Sequence, residues 1–193
     1  MKNYLLTVSA LASCGLLAAC GNATVNQSKT LINELKNPLF AERYYEDLIG
    51  TLVNIEIREP DTAAKESALI SKLKNDALEK AKEQTRIKRS GVLGRFVAAK
   101  QTPEGPVLLV NNTLYFGTDF ITEPGPSLHV YLTKVVDPTQ KIFPDSNALD
   151  AGRLESPYGA QSYTIKNGSG SYQTAVLYDT ELKRLYGFAQ LTK

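Results

Sequence analysis

Few residues in this chain of 193 could carry electrons or hold a redox metal: Cys14, Cys20, Met1 and His129 complete its cysteines, methionines and histidines. Haem is held by His, Met, Cys or Tyr, and iron–sulfur clusters chiefly by Cys. Blue copper takes two histidines and a cysteine, and structural zinc takes sets of Cys and His. One imidazole cannot complete a bis-histidine haem, a copper site or such a zinc site, so no cofactor and no metal ligand is expected. His129 is also the sole base for a Ser–His–Asp arrangement, yet its setting, Ser127-Leu-His-Val-Tyr-Leu132, has no nucleophile elbow. Glycosidase chemistry needs two acids across a cleft, and no pair stands out. No catalytic residue is assigned, and the chain reads as a non-enzyme. His129 reads as a surface or hydrogen-bonded histidine.

The stretch Gly15-Leu-Leu-Ala-Ala-Cys-Gly-Asn22 explains why a thiol stands near the front. Lys2 supplies a positive start and Leu5–Ala19 is apolar or small apart from Thr7, Ser9 and Ser13. That run is shorter than the roughly 20 apolar residues a membrane span needs, so a cleaved signal peptide over 1–19 is expected. Leu17-Ala18-Ala19-Cys20 resembles the lipobox of bacterial lipoproteins. The resemblance implies cleavage between Ala19 and Cys20 and a diacylglyceryl thioether on the Cys20 sulfur. Two or more acyl chains anchor stably where one does not. Asn22 is not the aspartate that favours inner-membrane retention in many Gram-negative bacteria, which points to an outer-membrane anchor if the host has two membranes. Cys14 would leave with the signal and Cys20 would be acylated, leaving no free thiol.

With 22 basic and 20 acidic residues the chain lacks the positive footprint of a nucleic-acid binder. Its 42% hydrophobic residues suffice for a core, and its length suggests one domain with an appendage.

Residues 20–29 are polar and read as a tether. Asn37-Pro38 is a helix cap followed by proline at the first helical position. Phe40, Tyr44, Leu48, Leu52 and Ile55 then recur at helical spacing. Val53, Ile55 and Ile57 also fit a strand, which leaves that helix's end open. A second helix follows Pro60-Asp61 and runs to about Lys88, with Ala63, Leu69, Ile70, Leu73, Ala77 and Ala81 as a narrow apolar stripe. The short break favours an antiparallel helical hairpin over 30–88.

From Ser90 onward turn signals recur every 8 to 12 residues between β-branched and aromatic runs, the pattern of a sandwich or barrel. Strands are expected near 92–99, 106–110, 113–121, 127–134, 151–155, 159–165, 172–178 and 184–191. Asn111-Asn112 reads as a two-residue hairpin turn and Asn167-Gly168 as another. Glu123-Pro-Gly-Pro126 fits a type II turn with Gly125 left-handed. Alternation in 127–133 puts Leu128, Val130 and Leu132 on one face and His129, Tyr131 and Thr133 on the other.

Four ordered segments then resemble the DM13 domain, an extracellular module often described as an electron-transfer domain. They are Gly94-Arg-Phe96, residues 114–134, residues 152–165 and residues 176–191. The closest correspondences are Gly125-Pro126 leading into Leu128–Leu132, then Gly159, Gln161 and Tyr163, then Gly187-x-Ala189-x-Leu191. The resemblance covers roughly 90–193 and implies an antiparallel β-sandwich, so the fold expected is mainly β, a sandwich preceded by an α-helical hairpin. In the family the proposed redox role rests largely on a cysteine that would fall at 179. Tyr178-Asp179 stands there instead, and a carboxylate cannot exchange disulfides.

Asp179 reads as a turn or solvent-facing residue, a calcium ligand being the sharper option without a spaced Asp/Asn loop to support it. Tyr115, Tyr131, Tyr158, Tyr163, Tyr172, Tyr178 and Tyr186 read mainly as core or cross-strand packing, with a tyrosine-lined recognition patch as the alternative. The protein expected is a lipid-anchored envelope lipoprotein on the extracytoplasmic side, a non-enzymatic binding or assembly module. Its partners would be the membrane, through the N-terminal lipid, and another envelope protein, and the sequence leaves any small-molecule ligand open. An electron-transfer accessory is the alternative.

Overall fold

The structure, a computed structural model, describes residues 30–140, 142–166 and 171–193. The signal segment, the Ala19–Cys20 cleavage point, the tether and the Asn167-Gly168 turn lie outside the described residues. No helix among the described residues is long and apolar enough to cross a membrane.

Asn37 caps as its position predicts, its side-chain oxygen accepting the Leu39 amide at 3.0 Å. A short α1 (Leu31–Glu34) precedes it, and α2 (Pro38–Arg58) follows with Pro38 in its first turn. The open end of this helix resolves as helix through Arg58: Val53 and Ile57 are exposed and pair with no strand. Pro60 opens the one-and-a-half-turn α3 (Pro60–Lys65), and α4 (Ser67–Ser90) returns alongside α2. The single helix expected after Pro60-Asp61 is therefore interrupted at Glu66 (φ −107°, ψ 18°). Ala41 and Leu52 from one helix and Ile70, Ala77 and Ala81 from the other fill the seam. Alanines let the backbones approach, and two half-buried ion pairs, Lys74–Glu56 at 2.7 Å and Lys88–Glu42, flank them.

The remainder is two antiparallel sheets, as expected. One has the order β1 (Val92–Arg95), β3 (Pro106–Val110), β4 (Thr113–Phe116) and β7 (Gln161–Thr164). The other has the order β2 (Val97–Ala98), β9 (Arg184–Gln190), β8 (Thr174–Asp179), β5 (Leu128–Thr133) and β6 (Leu149–Arg153). Leu109, Leu114 and Phe116 face Val130, Leu132 and Leu177 in the core between them.

Two strands differ from expectation. Residues 92–99 form not one strand but two, one in each sheet. Phe96 turns inward between them and packs its ring 5.3 Å from Phe116 and 5.6 Å from Phe120, so burying one aromatic breaks the ladder. The strand from Thr113 ends at Phe116 rather than 121, because the Gly117 amide bonds back to Pro106 and Phe120 folds into the core. The Asn111-Asn112 turn forms as read, with φ of 49° and 58°.

The hairpin and sandwich are bonded together. The Asn37 side-chain amide donates to the Phe116 carbonyl at 2.8 Å, Arg43 donates to Thr118 at 3.2 Å, and α4 enters β1 through Gly91 alone.

Candidate functional site

The residue at the family cysteine position sits in a crossing of three segments. Asp179 ends β8 and is fully buried, at 0% exposure, so its solvent-facing reading is overturned. Its turn reading holds: Oδ1 accepts the amides of Glu181 at 3.0 Å and Leu182 at 2.8 Å. Oδ2 accepts the Ser127 amide at 3.1 Å from the segment leading into β5. These three N–H donors hold the β8–β9 turn onto the β5 entry.

Gly125 belongs to the same junction, though not as a left-handed turn residue: its φ is not positive. Its demand is for space, since a Cβ there would stand 2.5 Å from Asp179 Oδ2 and 2.6 Å from the Tyr186 hydroxyl. Pro-Gly signals a turn locally; the approach of two distant side chains decides the position instead. Burial raises the Tyr186 phenol above its usual value, and the Asp179 charge raises it further, with Arg184 opposing.

On the outer face of the five-stranded sheet, His129 and Tyr131 stand as the alternation predicts. His129 Nδ1 lies 2.9 Å from Asp150 Oδ2, which makes it a half-exposed, hydrogen-bonded histidine. Tyr131 is buried with Tyr178 and Phe188 in a small second core. Residues 134–140 and 142–148 form a strap that closes over it. Thr133 donates to Asp145 at 2.5 Å and Thr174 donates to the Val136 carbonyl at 3.1 Å, fixing the strap. Phe143 then sets its ring 5.4 Å from both Tyr131 and Tyr178, close to edge-on in each case. Burial, then the charge of Asp150 and a hydrogen bond to it, raise the Tyr131 phenol. Sequence reasoning did not find the strap; its Thr133–Asp145 tie has no local signature.

The third motif of the resemblance is a polar knot. Gln161 Oε1 accepts the Glu155 and Ser156 amides at 3.2 Å and the Tyr163 hydroxyl at 2.7 Å, while its Nε2 donates to the Ser156 carbonyl at 2.8 Å. Burial drives the Tyr163 phenol far up. Tyr131, Tyr163, Tyr178 and Tyr186 are buried, Tyr115 and Tyr172 half-buried, and Tyr158 is 58% exposed. Packing is therefore the dominant tyrosine role.

These residues do not fit a redox group. His129 is paired with a carboxylate on an outer strand, and Asp179 has both oxygens committed to backbone amides. Among the described residues no three His, Cys, Asp or Glu side chains gather as a metal site.

A two-sheet sandwich with a strapped outer face and a buried acidic junction is the class of domain these elements define. The chain belongs to the DM13 family: the family model described as "Electron transfer DM13" matches residues 95–191, half of its length. No curated protein and no solved structure matches it.

Proposed function

We propose that this protein is a lipid-anchored envelope lipoprotein whose DM13 sandwich is a non-enzymatic binding or assembly module. Residues 1–19 are the signal peptide, Cys20 after the Ala19 cleavage point carries the lipid, and 20–29 is the tether. The hairpin, 30–88, and the sandwich, 90–193, face the extracytoplasmic side, at the outer membrane in a Gram-negative host, and meet an envelope protein partner. The observation that supports a binding role over a redox one is Asp179: a carboxylate bonded to three backbone amides serves the fold. The described chain starts at Thr30, close to Asn37 and its bond to Phe116. Residues 20–29 reach at most ~35 Å when fully extended, so a lipid on Cys20 would hold the hairpin–sandwich junction near the bilayer, with exposed Leu31 and Ile32 beside it.

Labelled palmitate should enter the wild-type protein and be lost from Cys20→Ala; equal labelling of both overturns the anchor. Pull-down from native membranes should then recover a specific envelope protein. The family description favours a second reading, an electron-transfer accessory. Absorption spectroscopy and metal analysis of the purified full chain separate the two, since stoichiometric haem, copper or iron overturns the first.

A further inference from the structure

A cleft of about 280 Å³ opens beside the strap, between it and the β8–β9 turn. Phe143, Tyr178 and Leu185 supply apolar walls, and Lys100, Lys183 and Thr139 supply the polar ones. The volume is near the lower end of small-molecule pockets, ~300–1,000 Å³, so it suits a single ring rather than a large cofactor.

Two lysines line the cleft. Neither Lys100 nor Lys183 forms an ion pair among the described residues. Arg184 adds a third cation: it donates to Gln101 at 2.7 Å and to the Lys100 carbonyl at 3.3 Å, fixing the backbone that carries Lys100. Asp137 on the strap keeps its charge, its carboxyl held below its usual range by the Thr139 hydroxyl at 2.6 Å and amide at 2.9 Å, and it pairs with neither lysine. Glu181 on the turn pairs with neither lysine.

Lys183 is also in the left-handed region, with φ of 49°. Glycine takes that conformation without strain and lysine does not. The position closes the β8–β9 turn that Asp179 organises, and from there Lys183 lines the cleft.

We propose that this cleft binds a small aryl carboxylate, its ring against Phe143, Tyr178 and Leu185 and its carboxylate between Lys100 and Lys183. The site is separate from the lipid anchor, so the palmitate experiment and this one fail independently.

Benzoate is the probe, titrated into the full chain while amide and methyl NMR shifts are followed, with benzyl alcohol as the uncharged control. Saturable shifts confined to Lys100, Tyr178, Lys183 and Leu185, with benzyl alcohol binding at least tenfold more weakly, are expected. The Lys100→Gln/Lys183→Gln double variant should lose at least tenfold in benzoate affinity while its spectrum elsewhere is unchanged. Lys183→Gly gives a second reading, weakening benzoate while raising the melting temperature. Absence of saturable shifts, or equal benzoate affinity in wild type and both variants, overturns the proposal.

Discussion

Asp179 Oδ2 accepts the Ser127 amide at 3.1 Å, joining the end of β8 to the entry of β5 across 52 positions of sequence. Removing the carboxylate takes the acceptor from three part-buried amides. Asp179→Ala should therefore lower stability by about 3–5 kcal/mol. Asp179→Asn keeps one acceptor oxygen and should cost less. Urea unfolding of the three proteins orders them wild type, Asn, Ala; an Ala variant within about 0.5 kcal/mol of wild type would contradict the junction.

Gly125 limits the same junction by volume. Gly125→Ala places a carbon 2.5 Å from Asp179 Oδ2 and 2.6 Å from the Tyr186 hydroxyl, and overpacking of this kind costs about 1–3 kcal/mol. Tyr186→Phe removes one of the two colliding atoms. The double variant should be more stable than the sum of its single losses predicts, which a double-mutant cycle measures directly.

Asn37 does two jobs with one side chain, capping α2 through its oxygen and bonding the Phe116 carbonyl through its nitrogen. Asn37→Ser retains the cap and loses the bridge, so hydrogen exchange near the β4 end should speed up while α2 stays protected. Asn37→Ala loses both and should cost about 2 kcal/mol. Identical exchange patterns in the two variants would show that the bridge carries no weight.

Alkaline pH should destabilise the sandwich. Burial holds the Tyr163 phenol above its usual value of 10.0, and Tyr131 and Tyr186 are raised as well. Below about pH 10 both folded and unfolded chains keep these protons, and their contribution is fully present. Above it the unfolded chain ionises first, so stability falls as pH rises toward the folded values, by up to ~1.4 kcal/mol per pH unit for Tyr163. Tyr163→Phe loses the bonds to Gln161 and Glu155 and should be less stable at pH 8 by about 1–2 kcal/mol. Its stability should fall less steeply between pH 10 and 11, as urea melts at each pH will show.

Lys183→Gly should raise stability by up to about 1 kcal/mol, the cost of a side chain in the left-handed region. Thermal unfolding measures it, and an unchanged or lower midpoint would mean that the strain is relieved elsewhere.

What could be read from sequence was what neighbours in sequence decide. Asn37-Pro38 carries its own cap, Asn111-Asn112 its own turn, and the alternation from Leu128 to Thr133 its own two faces. Even half of Asp179 was of this kind, since its bonds to Glu181 and Leu182 form a local turn. The other half needed Ser127 from a different segment. Phe96 breaks a run that reads as one strand because Phe116 and Phe120 take its ring, and Gly125 is fixed by two side chains more than fifty positions away. The strap and the cleft are tertiary for the same reason: Lys100, Phe143 and Lys183 meet only once two sheets and a long connection have closed.

With a single glycine between α4 and β1, the helical arm is a bracket welded to the sandwich, not a pendant on a hinge. A displacement of the arm is handed directly to β1, whose rungs run from Val92↔Leu109 to Arg95↔Pro106.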